Sequence, residues 1–131
     1  MATIEEAVYS RLAGYAEVSA LVGTRIYPLV VPQDAALPAI AYQRISSVPA
    51  RRHGGFSNLT NTIFQMTCEA DDYAGVKALA VAVRHCWESY KGTVAGITVQ
   101  AAMVVNESDG LSEPLEMPVV RTDVSVWHDE G

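Results

Sequence analysis

His85 and Cys86 stand side by side, with a second cysteine at position 68. A thiol beside an imidazole is the raw material of a nucleophilic pair or of a zinc site. Zinc, however, wants paired ligands such as C-x-x-C with a second pair downstream, and that spacing does not occur. On a helix, neighbouring residues point about 100° apart, so His85 and Cys86 cannot act on one atom together. A catalytic pair therefore requires the fold to bring His53 or His128 to a cysteine. The ordinary reading is two free thiols packed as small apolar side chains, in keeping with a reducing compartment.

The acidic stretch 106–116 resembles a calcium loop at first sight. With Gly110 at the turn glycine, Glu107, Asp109 and Glu116 fall on ligand positions. The first ligand would then be Val105, which cannot coordinate, and Pro114 stands where a helix should begin. A solvated connection between two strands fits better. Ser46, Ser47 and Ser57 lack a G-x-S-x-G context, and the sequence holds neither G-x-G-x-x-G nor G-x-x-x-x-G-K. Asp71 and Asp72 read as helix capping rather than as a catalytic carboxylate pair. The residues thus offer no enzyme site, no metal site and no cofactor cradle.

The elements that would position any site are those of one α/β domain spanning 1–131. The chain has 131 residues, half of them apolar and 18% charged, which excludes wholesale disorder. Its longest apolar run, Ala78–Val83, is far short of the roughly 20 residues that span a bilayer, and no secretory leader is evident. Thr3 and Glu6 form a capping box for a first helix with Ile4, Val8 and Leu12 as its stripe. A short second helix covers 16–22, and an irregular edge strand starts at Arg25 and is limited by Pro28 and Pro32. Alternation marks strands over 39–48, 62–70, 97–105 and 119–127. A helix capped by Asp71 and Asp72 runs to about Tyr90, with Val76, Leu79, Ala80, Val83 and Trp87 on its apolar face. The expected fold is α+β: a mostly antiparallel sheet of about four to five strands with two main helices on one face.

Charge is unevenly spread. The formal net charge is −6, yet residues 93–131 hold seven acidic residues against Arg121 alone. Residues 49–60 carry Arg51 and Arg52 and no acid. One short basic segment in an acidic chain is a poor phosphate-gripping surface. Read as a connection, 49–60 is long: neighbouring strands usually need two to five residues. It holds Arg51, Arg52, His53, Gly54, Gly55 and Phe56, types favoured at protein interfaces, so it is either a surface loop or a partner-binding arm.

A family resemblance goes further. Residues 18–28 (VSALVGTRIYP), Pro32-Gln33 and 37–42 (LPAIAY) resemble the N-terminal half of the tail completion proteins encoded in the neck gene cluster of long-tailed phages and prophages. The resemblance continues through 64–70 (FQMTCEA), the helix 76–87 and the closing 121–127 (RTDVSVW), and so covers nearly the whole chain. It implies a tail-terminator-like fold and a non-enzymatic virion protein. Such proteins form a ring, typically a hexamer, that ends the tail tube and joins it to the head connector. The implied partners are further copies of itself, the tail tube protein and a connector or stopper protein. DNA would pass through without sequence-specific binding, and neither a cofactor nor a membrane is implied. The implied location is the host cytoplasm during assembly and then the virion neck. Candidate interface residues are Arg25 and the segment from Arg51 to Phe56. Two alternatives remain at this level: a head-completion stopper of the same neck, or an unrelated cytoplasmic small-ligand or enzymatic domain.

Overall fold

Strand β3 (Gly55–Glu69) organises the protein, because its even-numbered residues from Thr60 to Cys68 are all buried and its odd ones only partly so. That strict alternation commits one face of the sheet to the core. The structure, a computed structural model, describes residues 3–32, 34–52, 55–111 and 117–129, with backbone only at 50–52 and 55–58. The remaining strands are β1 (Ile26–Pro28), β2 (Ala39–Arg52), β4 (Gly92–Val94), β5 (Ile97–Leu111) and β6 (Pro118–Asp129). They make one six-stranded sheet of order β1-β2-β3-β6-β5-β4.

Three departures from the sequence reading have clear physical causes. The sheet has six strands and is mixed, since β1 pairs parallel to β2 while the other neighbours are antiparallel. Strand β4 is three residues long, too short for alternation to reveal it. The basic segment 49–60 is no loop on its described residues. Strands β2 and β3 continue through it as a hairpin, with Pro49 opposite Thr60, Arg51 opposite Phe56 and Arg52 opposite Gly55. Pro49 masked the strand in the sequence, but β2 is an edge strand there and carries a bulge between Pro49 and Arg51, which is where proline is tolerated. Likewise the acidic stretch begins as strand, because β5 runs to Leu111 opposite Pro118.

Helices α1 (Ile4–Gly14), α2 (Ala16–Val22) and α3 (Tyr73–Trp87) share one core with the sheet. Thr3 caps α1 by accepting from the Glu6 amide at 3.2 Å, and its hydroxyl donates to the Glu6 carboxylate. Asp72 caps α3 through the Gly75 amide at 2.6 Å. A Cβ on residue 75 would lie 2.7 Å from Asp72 Oδ1, so glycine is what lets this cap close. Helix α3 ends at Trp87, short of the expected Tyr90, and Arg84 and His85 complement its C-terminal dipole. Its Val76, Leu79, Val83 and Trp87 are fully buried against Phe64, Met66, Val124 and neighbours. Each such side chain contributes roughly 1.5–3 kcal/mol by leaving water.

On the opposite sheet face, Ala39 and Ala41 form a small second core with Val31, flanked by Tyr27, Ala35 and Leu37. The connection before β2 therefore folds back over the sheet. No described helix is long and apolar enough to cross a membrane.

Candidate assembly surface

The chemistry-bearing residues are dispersed by the fold. Cys68 lies on β3 and Cys86 on α3; both are free and buried. Burial pushes the Cys68 thiol up, with a further push from Glu107. Burial also raises the Cys86 thiol to about 12, against an opposing pull from the Arg11 cation. A thiolate nucleophile is thereby disfavoured at both. His85 points out to Glu17, 3.0 Å away, while Cys86 points in, as their angular separation on a helix requires.

His128 is buried and partners no thiol. Its Nδ1 faces the carbonyl oxygen of Asp129, which can only accept, so Nδ1 carries the proton. Nε2 then accepts from the Thr62 hydroxyl at 2.8 Å, and Thr62 accepts from Ser47 at 2.7 Å. This thread satisfies polar groups across β2, β3 and β6, which is a structural task.

The acidic residues of β5 are turned to helix α3. Asp109 accepts from Tyr73 Oη at 2.6 Å and from Lys77 Nζ at 3.0 Å. The Tyr73 hydrogen bond, then Lys77, holds the Asp109 carboxyl below its ordinary range. Glu107 sits 3.8 Å from Arg84 and accepts from Thr122. Asp123 accepts from Gln65 and Asp129 from the Thr98 amide. The described acids of the C-terminal third are thus tied into their own subunit; Glu107 and Asp109 of the calcium-loop pattern take separate partners, and Glu116 lies outside the described residues.

Of the interface candidates, Arg51, Arg52, Gly55 and Phe56 lie together at the outer end of the β2–β3 hairpin, while His53 and Gly54 fall outside the described residues. Arg25 is not with them. Its backbone carbonyl accepts from Ile40, near the start of β2, and at about 3.3 Å per residue this is some 35 Å along the strand from Arg51. The Arg25 guanidinium donates to the carbonyls of Pro38 at 2.9 Å and Leu21 at 3.2 Å, pinning α2 to the entry of β2.

Two long margins of the sheet lie apart from the residues that the sequence singled out. Strand β1 covers β2 only at Ile40–Tyr42, and β4 covers β5 only at Ile97–Val99. On the far side of β5, the Ser89 amide donates to Ala102 O and Glu88 accepts from the Val104 amide. Beyond those points no described strand flanks β2 from Gln43 or β5 from Val105. Exposed apolar side chains mark both margins: Ile45 and Val48 on β2, Met103 and Val105 on β5. An apolar residue on a polar-facing edge position was the available signal.

A groove of about 1000 Å³ lies on the face away from the helices, between the 29–37 connection and the sheet. Leu29, Val30, Gln65, Thr67, Leu111 and Arg121 are among its lining residues. Leu29, at φ 70, takes a backbone conformation that bulky side chains rarely adopt, and it is 69% exposed.

Comparison with known proteins agrees with this architecture. The family model described as "Tail completion protein gp17" matches residues 6–129. No curated protein matches the sequence significantly. Among solved structures, a chain from one titled "Virion of native gene transfer agent (GTA) particle" superposes with a TM-score of 0.77 at 20% identity. The alignment covers 97% of this chain and 95% of that one, and at this identity it speaks to the shared fold.

Proposed function

Because the chain belongs to the tail completion protein gp17 family, a family of structural virion proteins, we propose that it is a ring-forming subunit of the phage neck that ends the tail tube and joins the tail to the head connector. Membership across nearly the whole chain is the observation that carries this reading. The geometry supports it: the buried thiols, the inward-facing His128 and the paired acids are all engaged in holding the subunit together. Among the described residues, the outward surface includes a pair of sheet margins and the end of a hairpin, the kind of surface that a subunit offers to its neighbours.

The ring, of about six copies, would contact the tail tube protein on one side and a connector or stopper protein on the other. DNA would pass through it without sequence-specific binding, in keeping with a net charge of −6. The protein would act in the host cytoplasm during assembly and remain in the virion. No cofactor enters this role.

Electron microscopy of particles made without this gene tests the reading. Filled heads beside separate tails of abnormal length are expected. Normal-length free tails beside heads that lose their DNA would transfer the chain to the stopper position. Intact virions would end both neck roles.

A further inference from the structure

Arg121 stands on β6 opposite Thr67 of β3 and Ser108 of β5, on the sheet face away from the helices. The residue is half-buried. A Cβ on residue 110 would lie 2.7 Å from its Nη1, so the guanidinium rests over the Gly110 backbone and glycine makes the room for it. Among the described residues, this guanidinium has neither an ion pair nor a hydrogen-bond partner. Acids of the neighbouring positions are engaged elsewhere: Asp123 with Gln65, Glu107 with Arg84, Asp109 with Tyr73 and Lys77. A partly desolvated cation left without a counter-charge favours an incoming anion.

The same groove is walled by Leu29, Val30 and Leu111, all largely exposed. Leu29 keeps its left-handed φ of 70 while its amide donates to the Tyr42 carbonyl at 2.8 Å, so the β1 ladder holds the turn in place. Strain of this kind gathers at ligand clamps, and exposed aliphatic side chains grouped around one groove mark an interaction surface. Glu69 and Asp71 line the groove as well. In the register Val119 stands between Gly110 and Glu69, so the backbone under the guanidinium and the backbone of Glu69 are two strand spacings, roughly 10 Å, apart. The groove thus has a basic side, an acidic side and aliphatic walls.

We propose that this groove binds an extended peptide segment of a partner protein, seating an acidic side chain on Arg121 and aliphatic side chains on Leu29, Val30 and Leu111. Glu69 and Asp71 would repel a nucleic-acid backbone, and a free phosphate would leave the aliphatic walls uncovered. An extended chain brings a carboxylate, apolar side chains and backbone amides that can face the acidic side. Three such residues, at about 3.3 Å each, span the groove from one charged side to the other. The site does not depend on the ring reading.

NMR of the full chain, labelled at leucine and valine methyls and at arginine side chains, tests this. The probes are acetyl-Leu-Val-Glu-Leu-amide and the same peptide with glutamine or lysine in place of glutamate. The glutamate peptide should shift the Leu29, Val30 and Leu111 methyls and the Arg121 Nε–H. It should saturate them at about a fivefold lower concentration than its glutamine counterpart, as expected of one partly exposed ion pair. Arg121→Gln, with folding checked by thermal melting, should abolish that preference and leave the weaker methyl shifts. A lysine peptide that binds as well as the glutamate one would overturn the proposal by giving the charge preference to Glu69 and Asp71. Tighter saturation of the same methyls by decanoate would overturn it in favour of a lipid-like anion. Groove shifts that grow on concentrating the chain alone would overturn it in favour of a second copy. Absence of any shift up to the solubility limit of the peptides would overturn it outright. None of these outcomes bears on the ring.

Discussion

The guanidinium of Arg11 on α1 grips the carbonyl oxygen of Cys86 in the last turn of α3, donating from Nε at 3.1 Å and from Nη2 at 2.8 Å. That carbonyl is among those that a helix end leaves without an intrahelical partner. The same cation lies 3.9 Å from the Tyr90 ring centroid and 4.9 Å from that of Tyr15. One side chain thus caps α3, complements its dipole and ties α1 to it. Arg11→Ala should cost about 2–3 kcal/mol in urea unfolding, the sum of charge-assisted hydrogen bonds and a partly exposed cation–π contact. Arg11→Lys should recover less than half of this, because an ammonium cannot reproduce the fork.

The thiols make stability fall on the alkaline side. A thiol whose folded pKa exceeds its unfolded value stabilises the fold fully below the unfolded value, and that stabilisation is lost as pH rises toward the folded one. For Cys86 the window runs from the ordinary 9.0 up to about 12, and Cys68 shifts in the same direction. Within it, each thiol should lower unfolding free energy by about 1.4 kcal/mol per pH unit. Cys86→Ala should flatten that slope by one such increment, whatever it does to stability at neutral pH. Equal slopes for the two proteins would show that Cys86 titrates normally.

Much of the framework was legible from residue order because the signals were local. Thr3, Asp72 and Gly23 mark helix ends through their own side chains or backbone. The strict alternation of Thr62–Cys68 could satisfy only a strand buried on one face. Positions whose roles depend on distant partners were not legible. Arg25 looks like an exposed cation until Leu21 and Pro38 are seen to take its hydrogens. Asp109 belongs to an acidic run in sequence and to Tyr73 and Lys77 in space. The same holds for the margins: no pattern within β2 or β5 says which flank lacks a neighbour, because strand order is set by β6 inserting between β3 and β5.

The Ser47–Thr62–His128 thread predicts a tautomer. Nitrogen NMR of His128 should show a protonated Nδ1 and a bare, accepting Nε2. Thr62→Val keeps the shape but leaves Nε2 buried without a donor, which should cost about 1–3 kcal/mol. Ser47→Ala removes only the outer donor, at an exposed residue, and should cost clearly less. Equal costs would mean that Nε2 does not depend on the Thr62 hydroxyl.

Asp109 gives a local test of electrostatics. Its carboxyl is held low first by the Tyr73 hydroxyl and then by Lys77. Carbon NMR titration should therefore place it below an ordinary aspartate. Tyr73→Phe and Lys77→Met should each raise its pKa. By linkage, the stabilisation from this group is complete above the unfolded pKa and is lost as pH falls through the lower folded value. The group is exposed, so the signature is the titration itself rather than the melting temperature.

The outer end of the β2–β3 hairpin supplies the remaining prediction. Arg51 and Arg52 face Phe56 and Gly55 in the strand register, beyond the last residues that β6 pairs with β3. Their charges add to that of Arg44 on β2. Changing both to glutamate turns that stretch from three positive charges to a net negative one while leaving the helix-side core untouched. Thermal melting should shift little, within the ~0.5 kcal/mol typical of surface changes. Self-association should fall by an order of magnitude or more at low salt. The difference should narrow as ionic strength rises and the Debye length shrinks below about 8 Å. A salt-independent loss would instead assign the effect to packing at the hairpin end. Unchanged association at every ionic strength would take Arg51 and Arg52 out of the interface.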